Sequence, residues 1–79
     1  MKQKILICGA GRVGISITEH LSNEGFDITV IDSNPEAIQR VTELYDVQGV
    51  LGLASYPNVL EDAGIKDTDM IIAVTQSDE

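Results

Sequence analysis

One cysteine, one histidine and five basic residues among 79 make this a chain of scarcities, and each removes a class of function. A lone Cys8 excludes an intrachain disulfide framework, and with His20 far from it there is no metal-ligand spacing. Five basic against thirteen acidic residues leave a formal net charge of −8, which opposes nonspecific binding to nucleic acid or to anionic lipid. No apolar run approaches the roughly 20 residues of a membrane span, so direct membrane insertion is not expected. The opening Met-Lys-Gln-Lys-Ile lacks the long apolar region of a signal peptide. Low-complexity tracts and internal repeats are missing, and so are a Ser-His-Asp set, a Tyr-x-x-x-Lys pair and paired carboxylates in a credible catalytic site. The expectation is a soluble cytoplasmic chain without a catalytic or metal centre. Its length falls below the usual domain mode of about 100 to 150 residues, so it reads as one small domain or part of one.

What is present is a glycine pattern in a specific context. Cys8-Gly9-Ala10-Gly11-Arg12-Val13-Gly14 follows a short apolar stretch, Lys4 to Cys8, and opens a segment of helical periodicity. Gly-x-Gly-x-x-Gly at a strand-to-helix turn is a dinucleotide-binding fingerprint. Gly9 allows the tight turn, Gly11 admits a pyrophosphate close to the backbone, and Gly14 lets the helix pack near the sheet. The phosphate charge is met by open N–H groups and the positive end of the helix dipole. Eighteen residues after Gly14, Asp32 ends a second apolar run, Ile28 to Ile31. There its carboxylate can accept hydrogen bonds from two ribose hydroxyls, and it would repel a 2′-phosphate.

The rest of the chain alternates strand and helix with short linkers, the βαβα signature of an α/β fold. A first helix is predicted from Arg12 to Glu24, with Val13, Ile17 and Leu21 facing the sheet and Gly25 as the stop. A strand follows over Asp27 to Ile31. A second helix begins at a Ser33 or Asn34 cap with Pro35 in its first position, turning Ile38, Val41, Leu44 and Tyr45 inward. The third strand, Val47 to Leu51, is interrupted by Gly49. A short helix from Pro57 to Ala63 turns Leu60 and Ala63 inward and is stopped by Gly64. The fourth strand, Met70 to Val74, is apolar throughout, as in a parallel sheet buried on both faces. Right-handed crossovers then give a Rossmann-like, doubly wound parallel sheet of order 3-2-1-4, with the topological switch point beside Gly9 and Gly11. Thr75 to Glu79 carry the chemistry of a helix's first turn with no helix after them. The whole of 1–79 is therefore expected to be a partial nucleotide-binding domain, truncated after its fourth strand, whose apolar edge would otherwise stand exposed.

Beyond the glycines, Gly52-Leu53-Ala54-Ser55, Val59-Leu60-Glu61-Asp62-Ala63-Gly64 and Asp69-Met70-Ile71-Ile72-Ala73-Val74-Thr75 complete a more specific pattern. With Gly9 to Gly14 and Asp27 to Asp32, it resembles the N-terminal part of the RCK (KTN) domain. That domain belongs to cytosolic regulatory subunits of Trk and Ktr potassium uptake systems and of some potassium channels, and the likeness is strongest to the Trk-type regulatory subunit. The resemblance implies a sensor, not an enzyme. The module would bind NAD(H), ATP or ADP and pass occupancy to a membrane potassium transporter subunit as a conformational change. The full-length protein would be a homo-oligomer at the inner face of the membrane. The implied cofactor-binding set is Gly9, Gly11, Arg12, Val13, Gly14, Asp32, Ser33, Ser55 and Thr75. Gly52, Ala54 and Ser55 would line the adenine side, although the position usually polar in the family is Leu53 here. Plainer roles stand beside these: Arg12 as an exposed helix residue, Ser33 or Asn34 as a cap, Thr75 as a cap, Asp69 as a turn cap before the fourth strand. The alternative function is the cofactor half of an NAD-dependent oxidoreductase with its catalytic residues elsewhere.

Overall fold

A computed structural model describes residues 3–53 and 56–74. Its strands are β1 (Lys4–Cys8), β2 (Asp27–Asp32), β3 (Gln48–Leu51) and β4 (Met70–Ala73); its helices are α1 (Arg12–Asn23), α2 (Pro35–Leu44) and α3 (Pro57–Asp62), with a single 3₁₀ turn at Ile65–Asp67 that the sequence pattern does not announce. The sheet is parallel, in the order β3-β2-β1-β4. This is the expected Rossmann-like α/β arrangement, in which β1 and β2 lie inside and carry the continuous apolar runs.

Strand alternation divides those runs between the two faces of the sheet. Ile5 and Ile7 of β1 pair in register with Ile28 and Val30 of β2, and these four side chains form a buried cluster with Ala37 and Val41 of α2. Ile17 and Leu21 of α1 pack against the same cluster, so α1 and α2 cover one face. Leu6 and Ile31 point the other way and are equally buried. The right-handed crossover from β3 to β4 carries α3 to that second face.

Each expected stripe packs inward apart from one residue: Ile17 and Leu21 of α1, and Ile38, Val41 and Tyr45 of the α2 stripe, meet the core, while Val13 and Leu44 do not. In α1 the buried residues are Gly14 and Thr18, Ile17 and Leu21 are half-buried, and Val13 is 60% exposed. The contact line is set by the glycine at the point of nearest approach, and Val13, one residue or about 100° around the helix from it, lies with Ile17 and Leu21 in an open apolar groove beside Ile72 of β4. The Thr18 hydroxyl is satisfied locally by donating to the Gly14 carbonyl at 2.8 Å. In α2, Ala37 and Val41 are buried, and Leu44, predicted inward, is 60% exposed. Leu44 is the last helical residue, and the chain leaves the helix in extended conformation at Tyr45, so Tyr45 and not Leu44 packs against the core beside Val41.

The helix ends follow residue chemistry more closely. Asn34, not Ser33, caps α2 by accepting the Glu36 N–H at 2.9 Å, and Pro35 occupies the first helical position. Gly25 and Gly64 take positive φ, 88° and 83°, just past the ends of α1 and α3, as left-handed stops do. Asp69 corrects the expected turn cap: its Oδ2 accepts the Lys4 N–H at 2.8 Å, and its own N–H donates to the Lys4 carbonyl at 2.8 Å, joining the start of β4 to β1. Strand β4 does not match its apolar sequence in burial. Met70 is 51% and Ile71 49% exposed, because among the described residues β4 pairs only with β1.

Gly49, which weakens the sequence signal for β3, has a packing reason. A Cβ placed there would lie 2.7 Å from Ile38 Cγ2 and 2.8 Å from Thr42 Cγ2, so α2 sits directly on the strand at that residue. Both opposing atoms belong to β-branched side chains, which have little rotamer freedom in a helix. Gly49→Ala is therefore expected to destabilise the chain by about 1 to 3 kcal/mol, read as a lower urea midpoint with an unchanged slope. An unchanged or higher midpoint would mean that α2 shifts freely.

Candidate functional site

The carboxyl ends of β1, β2 and β3 bring the fingerprint residues to one edge of the sheet. Gly9 leaves β1 with φ of 121°, and a Cβ there would lie 2.8 Å from the Val74 carbonyl oxygen. Only glycine suits both the angle and the space. Its N–H donates to the Ile31 carbonyl at 2.8 Å, so the turn begins as a continuation of the sheet. Gly14, one helical turn on, faces back on Gly9. A Cβ at Gly14 would run into the Gly9 carbonyl oxygen, and its absence lets α1 start directly on the turn.

Gly11 is the N-cap of α1, in an extended conformation open to any residue (φ −74°), and supplies no side-chain cap. The first intrahelical bond runs from the Ile15 N–H to the Gly11 carbonyl at 2.8 Å. Helix geometry thus leaves the N–H groups of Arg12, Val13 and Gly14 without partners inside the helix. No acidic side chain lies in the first turn. The contrast with α2 is informative, since α2 has both an Asn34 cap and an acidic Glu36 in its first turn. One helix satisfies its own N-terminus, and the other presents an open, positively polarised one.

Asp32 lies beside that opening as the last residue of β2, half-buried. Its Oδ2 accepts the Ala10 N–H at 2.7 Å and its Oδ1 the Asn34 N–H at 2.8 Å. Its main-chain carbonyl accepts the Gly52 N–H at 2.9 Å, which ties in the turn after β3. Gly52 is required by packing, because a Cβ there would lie 2.8 Å from Val59 Cγ2 of α3. Ser33 is exposed in the bend between Asp32 and the α2 cap, and Arg12 is exposed on the first turn of α1. The Val13 side chain lies in the apolar groove between α1 and Ile72 of β4, while its N–H belongs to the helix start. Ala54, Ser55 and Thr75 lie outside the described residues. Two residues that sequence reasoning did not place in the site are Ala10 and Asn34, each through its main-chain N–H. The fingerprint spacing aligns Ala10 with the turn, but nothing in it shows which way that N–H points.

Cys8, next to the turn, is half-buried, and burial pushes its thiol above the ordinary 9.0. Its reactive thiolate is correspondingly scarce near neutral pH.

An open helix N-terminus at a strand-to-helix glycine turn, with an acid closing the next strand, defines a Rossmann-like nucleotide-binding half. The family model for the TrkA-N domain matches residues 5–79, and the chain belongs to that family. It is 50% identical over 76 residues to the Trk system potassium uptake protein TrkA of Azorhizobium caulinodans, covering 96% of this chain and 17% of that protein. Identity to the protein of the same name from Vibrio alginolyticus is 46% over 76 residues, with the same coverage. A Trk system potassium uptake protein TrkA homolog of Pyrococcus abyssi is 36% identical over 75 residues, covering 95% of this chain and 33% of that protein. The chain thus spans about a sixth of the first two relatives and a third of the last.

Two outcomes follow from this geometry. Gly14→Ala, which in an ordinary helix interior gains up to about 1 kcal/mol, is expected to lower stability instead and to shift the amide resonances of Gly9 to Arg12; a rise in thermal midpoint would disprove the close contact. For Cys8, the raised folded-state value means that the contribution to stability is complete below the unfolded thiol's titration and is lost as pH rises through the folded one. Iodoacetamide at pH 8 should therefore modify the folded chain more slowly than the urea-unfolded chain, and equal rates would contradict a half-buried thiol.

Proposed function

We propose that this chain is the nucleotide-binding part of a potassium uptake regulator, taking NAD(H), ATP or ADP and acting without catalysis. The reading rests above all on one juxtaposition: the open N-terminus of α1 beside the Asp32 carboxylate at the end of β2. Phosphates are received by the N–H groups of Arg12, Val13 and Gly14, with the Arg12 guanidinium able to reach their oxygens. The adenosine ribose is held by Asp32, with Ser33 beside it, and Gly52, Ser55 and Thr75 border the rest of the ligand. Binding then favours one conformation of the module and shifts its population, by no more than the ligand's differential affinity for the two states.

The relatives' names, which speak of potassium uptake, support a regulatory subunit acting through a membrane transporter at the cytoplasmic face. In the full-length protein we infer a homo-oligomer. No helix among the described residues is long and apolar enough to cross a membrane, and the net charge of −8 keeps the module away from anionic lipid. Contact with the membrane therefore passes through the partner.

Isothermal calorimetry with NADH, NADPH, ADP and ATP tests the reading. NADH and the adenine nucleotides are expected to bind and NADPH to bind more weakly, since Asp32 repels a 2′-phosphate. Asp32→Ala should weaken NADH binding by about 1 to 3 kcal/mol. NADPH binding as tight as NADH would remove Asp32 from the ribose site, and binding of none of the four would sink the proposal.

A further inference from the structure

The Asp32 carboxylate is already engaged by the chain itself, at both oxygens. Ala10, whose N–H it holds at 2.7 Å, is the middle residue of Gly9-Ala10-Gly11 and is 1% exposed. While that bond stands, the Ala10 N–H is closed to any ligand, and the phosphate donors are those of α1's first turn. Burial of the Ala10 methyl in the core cluster and the Gly9 N–H bond to the Ile31 carbonyl at 2.8 Å also hold the turn, but glycine flanks Ala10 on both sides, and glycine gives up the most backbone freedom on ordering. Among the described residues the Ala10 bond is the turn's one hydrogen bond to a side chain, and it lies one residue before Gly11, from which α1 starts. The second oxygen reaches the Asn34 N–H at 2.8 Å, and Asn34 in turn caps α2. One side chain thus spans the loops that follow β1 and β2.

We propose that Asp32 is a positioning residue for the phosphate site as well as a ribose acceptor: it holds the glycine turn so that the N–H groups of Arg12, Val13 and Gly14 converge. This rests on the nucleotide-binding reading above. The two roles are compatible, because a carboxylate offers about four lone-pair sites, and two backbone donors leave room for two hydroxyls. They differ in what they imply for a ligand with no ribose. By charge alone, deleting an anion beside the site tightens binding of a phosphate. By positioning, deleting it releases the turn and weakens the same binding.

The test uses inorganic pyrophosphate and ADP in calorimetry on the wild-type chain, Asp32→Ala and Asp32→Asn, together with amide hydrogen exchange of the ligand-free chains by NMR. Asp32→Ala is expected to lose about tenfold or more in pyrophosphate affinity, the scale of one hydrogen bond to a charged group. Asp32→Asn, with the same charge as the Ala variant but one carbonyl acceptor kept, should lose less. Exchange at the Ala10 amide should rise about tenfold or more in Asp32→Ala, while Val30 in β2 keeps its protection. Lost protection at Val30 would mark general unfolding, and the Asn variant then carries the comparison. Tighter or unchanged pyrophosphate binding with ADP binding weakened, or an unaltered Ala10 amide, overturns the positioning role and leaves the ribose role intact. Where pyrophosphate binds too weakly to measure, Ala10 exchange decides. Failure of the wild-type chain to take up either ligand overturns the nucleotide reading and this proposal with it.

Discussion

The contact on which the site depends is the approach of α1 to the turn that precedes it, backbone against backbone, at Gly14 and Gly9. No other residue type fits at Gly14, where a Cβ would meet the Gly9 carbonyl oxygen. The same contact explains two departures from simple amphipathicity. It rotates the helix so that Gly14 and Thr18 are the buried residues, and it leaves Val13 outward. It also starts the helix at a residue with no side chain to cap it, so that the first-turn N–H groups have no side-chain cap. A side-chain cap would contribute about 1 kcal/mol to α1, and the chain forgoes it where a ligand's oxygens can take its place.

Around that contact, main-chain hydrogen bonds stitch the carboxyl edge of the sheet together. The Gly9 N–H reaches Ile31, the Gly52 N–H reaches Asp32, and the Asp32 side chain reaches Ala10 and Asn34. The loops after β1, β2 and β3 are thus tied to one residue position. Through its two oxygens Asp32 is bonded to both neighbouring loops, one of which begins α2. The Ile5, Ile7, Ile28, Val30 and Val41 cluster lies beneath this edge and includes Ala10 of the turn, so the edge is anchored in the core at that one residue.

Much of the fold is legible in the residues because local and nonlocal signals agree there. Apolar runs at Lys4 to Cys8 and Ile28 to Ile31 are long enough to mark buried parallel strands, the Asn34-Pro35 pair marks a helix start, and Gly25 and Gly64 mark helix ends. The strand order follows from handed crossovers. Legibility fails where burial depends on what lies alongside. Met70 and Ile71 read as buried, yet β4 has one neighbour among the described residues, and Leu44 reads as inward, yet the helix ends at it. Gly49 reads as a strand breaker until α2 is seen resting on it.

By itself, the sequence determined the pattern of the turn: glycines at a strand-to-helix turn and an acid closing the next strand are legible from local spacing, and backbone space requires the glycine at Gly9 and at Gly14. Tertiary structure alone decided how those pieces are joined. That Asp32 reaches Ala10, in addition to its local bond to Asn34 two residues on, and that α1 lays Gly14 against the turn, are results of elements meeting across 22 residues in one case and of steric contact with a carbonyl in the other. Periodicity records which residues prefer to be buried. It does not record where a neighbouring backbone comes to rest, and at this edge that placement decides which groups the Gly9, Ala10 and Gly52 N–H donors meet.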